Sequence, residues 1–234
     1  MSKTLRLPPS IRAVTFDVGG TLIDPYPSVG HIYADIAAQY GESGISPAVL
    51  NRRFGAAWRA LKNFRYTRGQ WAKLVDATFR GLTRRPPSRT FFPALYDRFS
   101  RAQAWRLYDD VLPSLEALAA RGLKLGLISN WDERLRPLLK AHKLHKYFDT
   151  LVVSSEVGVA KPARAIFLRA AAELHLAPQT LLHVGDSPAM DVQGALAAGL
   201  QSLLLRRKAK RRAAGRIRSL TELTDWICIQ KPEQ

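Results

Sequence analysis

Cysteine and long apolar runs are what this sequence most clearly lacks. Cys228 is the only cysteine among 234 residues, which excludes an intrachain disulfide and favours a reducing compartment. No apolar run reaches the roughly 18 residues that a membrane-spanning helix needs. The first residues, MSKTLRLPPSIRAV, lack the apolar stretch and the cleavage site of a signal peptide. We therefore expect a cytoplasmic protein with no membrane partner.

Acidic residues are also scarce, and the net charge is +17. The segment 26–108 has 14 lysines and arginines against four acidic residues, and the stretch 206–218 has eight basic residues and no acid. Such asymmetry bears on partners more than on fold. It favours a small anionic substrate. The basic stretch 206–218 could also contact nucleic acid, but no nucleic-acid motif accompanies it, so we favour a solvated tail.

Short apolar runs alternate with helical patterns through most of the chain. Such runs, separated by helices, are typical of an α/β fold with a parallel, Rossmann-like sheet and helices on both faces. The predicted strands are AVTF (13–16), LKLGLIS (123–129), TLVVS (150–154), TLLHVG (180–185) and QSLLL (201–205). The predicted helices between them cover 112–121, 133–142, 163–174 and 190–198.

The segment 25–106 does not follow this alternation. Ile32, Ile36 and Tyr40 form one helical stripe, and a second stripe begins at Phe54 and Trp58. The segment is too long to be a loop between a strand and a helix. We therefore predict an inserted helical domain at 25–106 within an α/β core formed by 1–24 and 107–234.

Four predicted strands are followed by polar residues. In parallel α/β sheets, ligands bind beyond the carboxyl ends of the strands, so the fold would bring these residues into one crevice. They are Asp17 after the first strand, Ser129 and Asn130 at the second, Lys161 and Pro162 after the third, and Asp186, Ser187 and Asp191 after the fourth.

Three aspartates in one crevice would repel one another. Asp17, Asp186 and Asp191 are costly together without a cation, and a hard divalent ion with oxygen ligands, Mg²⁺ above all, would relieve the repulsion. Lys161 would help. Such a site holds phosphate easily, with Ser129 and backbone N–H groups on its oxygens, and a free carboxylate could attack phosphorus.

Each of these residues also has an ordinary structural interpretation. Asp17 could be a turn residue, Asp186 a helix N-cap, and Asp191 a solvated helix residue. Ser129 and Asn130 could cap a loop. The four motifs occur in order and each lies at a strand end, and this joint pattern favours a functional site.

The motifs FDVGGTLID, ISN, AKP and GDSPAMD resemble those of the haloacid dehalogenase (HAD) superfamily, whose members are mostly Mg²⁺-dependent phosphatases. The resemblance spans about Arg12 to Trp226 and implies a HAD core with an inserted helical cap. The resemblance implies that Asp17 is the nucleophile and that Lys161 contacts both the nucleophile and the phosphate. It implies that the phosphate is bound by Thr21, Ser129 and Asn130. It also implies that the Mg²⁺ site is formed by Asp17, Asp186, Asp191 and the backbone carbonyl of Gly19.

Gly19 departs from the superfamily's pattern. The resemblance places an acid–base aspartate two residues after the nucleophile, and Gly19 has no side chain for proton transfer. A positioned acid–base group is typically worth about 10²–10⁴ in rate. We therefore expect a slow phosphatase. More narrowly, the chain resembles a group within the superfamily that also lacks this aspartate.

Three alternatives follow from Gly19. The chain could bind Mg²⁺ and a phosphorylated ligand without turnover. It could resemble the superfamily's dehalogenases, which need no metal, although Asp186 and Asp191 argue against this. It could also resemble the phosphonate hydrolases, which use a cap lysine, for which Lys62 and Lys73 are the only lysines in the insert.

Overall fold

The computed structural model describes residues 11–211 and 213–228. The first ten residues and Arg212, used in the arguments on signal peptides and on the basic stretch, lie outside them. Within the described part of the chain, none of the helices combines the length and apolar character that crossing a bilayer requires.

The described chain contains eight strands and ten α-helices. The strands are β1 (Ala13–Phe16), β2 (Ile23–Pro25), β3 (Trp105–Leu107), β4 (Lys124–Ser129), β5 (Thr150–Val153), β6 (Leu181–Gly185), β7 (Gln201–Leu205) and β8 (Arg216–Ile217). The helices are α1 (Val29–Gln39), α2 (Pro47–Ala60), α3 (Arg68–Phe79), α4 (Phe92–Arg98), α5 (Val111–Ala119), α6 (Leu135–Ala141), α7 (Ser154–Val157), α8 (Arg164–Glu173), α9 (Gly194–Ala197) and α10 (Leu220–Cys228).

Six strands form one parallel sheet in the order β5-β4-β1-β6-β7-β8. Its central strand, β1, lies between β4 and β6, with Phe16 opposite Leu127 on one side and Val184 on the other. The predicted α/β fold and its five strands are confirmed, because β1, β4, β5, β6 and β7 match the predicted ranges within a residue. The carboxyl ends of β1, β4 and β6 therefore meet at one edge.

The sheet is fixed by apolar burial. All four residues of β1 are fully buried. One face of α8 contributes Ile166, Phe167 and Ala170 to a buried cluster with sheet residues such as Ile128. Burial of apolar surface contributes about 25 cal/mol per Å². Because β1 is hydrogen-bonded on both edges and covered by side chains, the position of the residues that follow it is fixed.

The chain divides into two compact units. Among the described residues, the first comprises 11–23, 107–130, 144–211 and 213–228, and the second comprises 24–106 and 131–143. The second unit contains α1 to α4 and α6, and its core includes Tyr33, Leu50, Val75, Phe79, Phe91 and Leu95. Residues 131–143, which the sequence pattern assigns to the α/β core, group with the second unit.

Side-chain contacts explain the grouping of 131–143. The indole Nε1–H of Trp71 donates to Asp132 Oδ2 at 2.8 Å, and Arg134 Nη2 forms an ion pair with the same oxygen at 2.6 Å. The Arg134 guanidinium lies 3.7 Å from the centre of the Tyr96 ring. Tyr96 also donates to Glu133 at 2.8 Å. These charge-assisted and cation–π contacts bind the segment to α3 and α4.

The tryptophans of the second unit pack against other rings. Trp58 stacks on Trp71 at 5.7 Å, and Trp105 lies 5.0 Å from Trp131. Trp58 nevertheless keeps 38 % of its surface exposed.

Two local features differ from the predicted elements. The predicted helix 190–198 begins as a π-helical turn, Pro188–Gln193, before α9. The short strand β8 extends the sheet beyond β7, within the stretch predicted to be a tail.

Candidate functional site

Asp17 lies directly after the central strand and is buried, with 8 % of its surface exposed. Its Oδ1 accepts a hydrogen bond from Lys161 Nζ at 2.6 Å, and its Oδ2 accepts one from Thr21 Oγ1 at 3.3 Å. Burial raises the pKa of Asp17 to about 6, although the charge of Lys161 opposes the rise. The carboxylate is therefore ionised at neutral pH but only moderately stabilised.

Lys161 joins two of the predicted aspartates. Its Nζ donates to Asp17 Oδ1 and to Asp191 Oδ1, each at 2.6 Å. Burial alone would lower the pKa of Lys161, but the two carboxylates outweigh it and raise the pKa above its usual value. The ammonium is therefore fixed in its charged form between two anions.

Asn130 holds the backbone of Lys161. Its Oδ1 accepts from Lys161 N at 2.7 Å, and its Nδ2 donates to the Lys161 carbonyl at 3.0 Å. This pair of bonds ties the end of β4 to the loop between α7 and α8. Asn130 thus positions the lysine, and its direct binding of phosphate stays a prediction.

Asp191 uses both carboxylate oxygens within the first unit. Oδ1 accepts a hydrogen bond from Lys161 Nζ and lies 3.2 Å from His183 Nε2. Oδ2 accepts a hydrogen bond from Ser187 N at 2.9 Å. Burial would raise the pKa of Asp191, but Lys161 and His183 hold it below the usual value. Asp191 is therefore a fixed anion that orients its neighbours.

His183 and Thr15 are two further polar residues beside this site, and neither lies in a motif identified in the sequence. His183 is fully buried in β6, and its Nδ1 lies 3.0 Å from Thr15 Oγ1 in β1. Burial lowers the pKa of His183, so the ring is neutral at neutral pH. A histidine inside the apolar run TLLHVG was the available signal.

The three aspartates lie close enough to share a cation. Asp17, Asp186 and Asp191 each offer an oxygen, and these oxygens lie within 4.8 Å of one another. Burial, then repulsion from Asp191, raises the pKa of Asp186. A set of carboxylate oxygens with one cationic neighbour suits a hard divalent ion such as Mg²⁺. The donor chemistry therefore fits the ion that the sequence predicts.

Ser129 provides a further polar group at this edge. It ends β4, is 1 % exposed, and its Oγ has no hydrogen-bond partner among the described residues. A buried hydroxyl without a partner is costly, and an anionic ligand oxygen would satisfy it.

Gly20 allows Asp186 to approach the loop after β1. Its φ is +77°, and an added Cβ would lie 2.6 Å from Asp186 Oδ2. Gly19, in contrast, does not have a positive φ. Use of the Gly19 carbonyl as a metal ligand stays a prediction.

Replacing Gly20 by alanine is expected to weaken Mg²⁺ binding about 10–100-fold, because Asp186 must move away from the new methyl group. Calorimetric titration with Mg²⁺ measures this. The matched control is Gly122→Ala, where φ is +73° and nothing lies within 4 Å of the added Cβ. Both variants carry the backbone strain of about 1–3 kcal/mol, but only Gly20→Ala crowds a carboxylate. Equal Mg²⁺ affinities in the two variants would contradict the prediction.

Comparison with known proteins gives consistent similarities. Residues 11–199 match the family model described as haloacid dehalogenase-like hydrolase. "Haloacid dehalogenase-like hydrolase domain-containing protein 3" of Mus musculus is 34 % identical over 207 residues, covering 83 % of this chain and 82 % of that protein. A phosphoglycolate phosphatase of Shigella boydii is 33 % identical over 211 residues, covering 82 % and 80 %. The crystal structure of a HAD phosphatase from Thermococcus onnurineus superposes with a TM-score of 0.67 at 26 % identity, covering 93 % and 98 %.

Proposed function

We propose that this chain, which belongs to the haloacid dehalogenase-like hydrolase family, is a Mg²⁺-dependent phosphatase that acts on a small phosphorylated metabolite through Asp17. The observation that carries the proposal is the contact of Lys161 with both Asp17 and Asp191, beside the third carboxylate of Asp186. The ammonium of Lys161 fixes the buried carboxylate of Asp17 in place as a nucleophile. The same ammonium can also contact the oxygens of a bound phosphate.

In the proposed first step, an oxygen of Asp17 attacks phosphorus. The new bond joins that oxygen to phosphorus, and the bond from phosphorus to the substrate's ester oxygen breaks. The leaving oxygen takes its proton from solvent water, because Gly19 supplies none. In the second step, water attacks phosphorus and gives a proton to solvent, the bond from phosphorus to the Asp17 oxygen breaks, and inorganic phosphate leaves, which regenerates the carboxylate. The pKa of Asp17, at about 6, leaves the group ionised and able to attack at neutral pH.

The phosphate is held by groups that surround Asp17. Lys161 Nζ lies 2.6 Å from Asp17 Oδ1 and would neutralise an oxygen of the phosphate. The unpartnered Oγ of Ser129 is a proposed donor to another oxygen. The hydroxyl of Thr21, whose one proton is donated to Asp17 Oδ2 in this structure, would turn to donate to a third. Asn130 supports this set by fixing the lysine backbone.

Asp17, Asp186 and the Gly19 carbonyl are the proposed holders of Mg²⁺. The ion, when bound, neutralises negative charge on the phosphate and on the carboxylates. Asp191 orients the set, because its two oxygens are already occupied by Lys161, His183 and Ser187. The raised pKa values of Asp17 and Asp186 favour this assignment, since a cation would offset the cost of their charges.

Gly19 makes the proposed enzyme slow. It offers no group to protonate the leaving oxygen or to take a proton from water, which removes about 10²–10⁴ in rate. Substrates with good leaving groups suffer least. The same observation favours a second candidate, a protein that binds Mg²⁺ and a phosphorylated ligand without turnover.

Hydrolysis of p-nitrophenyl phosphate and of a panel of phosphorylated metabolites, with and without Mg²⁺, tests the proposal. We expect turnover that requires Mg²⁺ and exceeds that of the Asp17→Asn variant. Tight binding of inorganic phosphate and Mg²⁺ with no turnover of any panel member would instead support the binding protein.

A further inference from the structure

Part of the basic stretch, within the described residues 206–211 and 213–218, belongs to the folded first unit. Its residues Arg216 and Ile217 form β8, which pairs in parallel with β7, Leu204 opposite Arg216 and Leu205 opposite Ile217. Arg218 forms an ion pair with Glu222 in α10 at 2.7 Å. Residues 216–218 are therefore part of the folded first unit. Arg206, Lys208, Lys210 and Arg211 are exposed, as the prediction of a solvated stretch expects.

Among the arginines of this stretch that the structure describes, Arg207 is the most enclosed, with a side chain only 16 % exposed. Its Nη1 forms an ion pair with Asp110 Oδ2 at 2.9 Å, and its Nη2 donates to the backbone carbonyl of Thr21 at 2.6 Å. The guanidinium lies 3.7 Å from the centre of the Tyr108 ring. Three different contacts thus fix one planar group.

The partners of Arg207 are themselves fixed. Asp110 Oδ2 also accepts from Leu220 N, at the start of α10, at 2.7 Å. The backbone N–H of Tyr108 donates to the carbonyl of Leu22 at 3.2 Å. Two consecutive carbonyls after Asp17, those of Thr21 and Leu22, are therefore held from outside the loop.

These carbonyls belong to the loop that presents the proposed phosphate-binding groups. Thr21 donates through its hydroxyl to Asp17 Oδ2, and Gly20 packs against Asp186. If the Thr21 carbonyl were released, the peptide could rotate, and the hydroxyl and the adjoining turn would lose their orientation. A displacement of about 1 Å can cost about 10²-fold in rate at a positioned site.

We propose that Arg207 is a positioning residue that holds the loop after β1 in its phosphate-binding conformation through the carbonyl of Thr21. The proposal rests on the proposed function of Asp17 and Thr21. It requires arginine specifically, because one flat, forked cation bonds a carboxylate and a carbonyl while it stacks on Tyr108. A lysine would supply the charge without the fork.

Arg207→Met is expected to lower kcat for p-nitrophenyl phosphate about 10–100-fold, with a smaller change in KM. The matched control is Arg211→Met, which removes the same charge from an exposed residue of the same stretch and leaves kcat unchanged. Arg207→Lys should fall between the two. If Arg207→Met fails to fold, the comparison of Arg207→Lys with Arg211→Lys carries the test, and equal kcat values in that pair overturn the proposal.

A double-mutant cycle with Thr21→Ala separates positioning from general stability. If Arg207 acts through Thr21, Arg207→Met costs clearly less in kcat when Thr21 is already alanine. Because Thr21→Ala keeps the carbonyl that Arg207 binds, an equal loss in both backgrounds overturns orientation of the hydroxyl and assigns the effect to the adjoining turn.

A binding measurement keeps this inference separate from the proposed function. If the unaltered protein has no turnover, calorimetry with inorganic phosphate in Mg²⁺ replaces kcat. Weaker phosphate binding by Arg207→Met than by Arg211→Met then supports the positioning role while the phosphatase proposal fails. If the unaltered protein has turnover and the two variants have equal kcat values, the phosphatase proposal is supported. The positioning role of Arg207 is then overturned.

Discussion

Asp17→Asn is expected to lower turnover of p-nitrophenyl phosphate by about 10⁴-fold or more, because the amide cannot attack phosphorus. The substitution keeps the size of the side chain and an oxygen that can accept from Lys161, so the rest of the site stays in place. Steady-state kinetics with saturating Mg²⁺ measure the loss. A variant that retains a tenth of the activity would show that Asp17 is not the nucleophile.

The same substitution is expected to stabilise the metal-free protein. Burial raises the pKa of Asp17 from 3.8 to about 6, so the folded state binds a proton that the unfolded state has lost. Between these two pH values, this carboxyl makes the protein progressively less stable as the pH rises, and above about 6 the cost is constant. The neutral amide of the variant has no such cost. Thermal unfolding in chelator should therefore give the variant a higher Tm at pH 7, with the difference shrinking towards pH 4.

Bound Mg²⁺ should offset the lower Tm that we expect for the unaltered protein relative to Asp17→Asn. The ion binds the folded state and stabilises it by mass action, and the ionised Asp17 is one of its proposed ligands. We therefore expect Mg²⁺ to raise the Tm of the unaltered protein more than that of Asp17→Asn. Equal Tm increases in the two proteins would show that Asp17 does not bind the metal. Its role as the nucleophile would then depend on the kinetic test alone.

Gly19→Asp is expected to raise kcat about 10²–10⁴-fold, most for substrates with poor leaving groups, because it supplies the missing acid–base group. The position accepts a side chain in conformational terms, since Gly19 is half-buried and lacks a positive φ. The matched control is Gly19→Asn, which has the same shape and no transferable proton. Kinetics on a series of aryl and alkyl phosphates measure the gain.

The outcome separates the open alternatives. A gain with aspartate and none with asparagine indicates that the phosphatase site is otherwise complete. Equal rates in the two variants would mean that Gly19 is not the missing element, and that the protein binds its ligand or cleaves a different bond. The Asp17→Asn change in the Gly19→Asp background should return the rate to the background level.

The sequence predicts the sheet well because its signals are local. Each central strand is a short apolar run, and each predicted site residue follows the end of such a run. Parallel pairing then brings the ends of β1, β4, β5 and β6 to one edge of the sheet without any further information. This is why Asp17, Lys161 and Asp191 could be grouped before their contacts were known.

The features that sequence did not predict depend on contacts between distant residues. Trp71 and Asp132 are 61 positions apart, and contacts such as their hydrogen bond place 131–143 with the second unit. Arg207 lies 186 positions from Thr21, within a run of basic residues that looks uniform. β8 has two residues, too few for any periodicity. Periodicity and motif spacing carry no signal for such pairs.

The two-segment construction of the second unit affects how it could be exchanged between proteins. The chain passes between the units four times, and one of these passages follows immediately after Asn130. Excising 25–106 alone would remove Trp71 and Tyr96 and leave Asp132 and Arg134 without these partners. A transfer of the second unit to another protein that keeps these contacts must therefore include residues 131–143 as well. Recombination at a single pair of sites would separate these partners, because the unit is built from two segments of the chain.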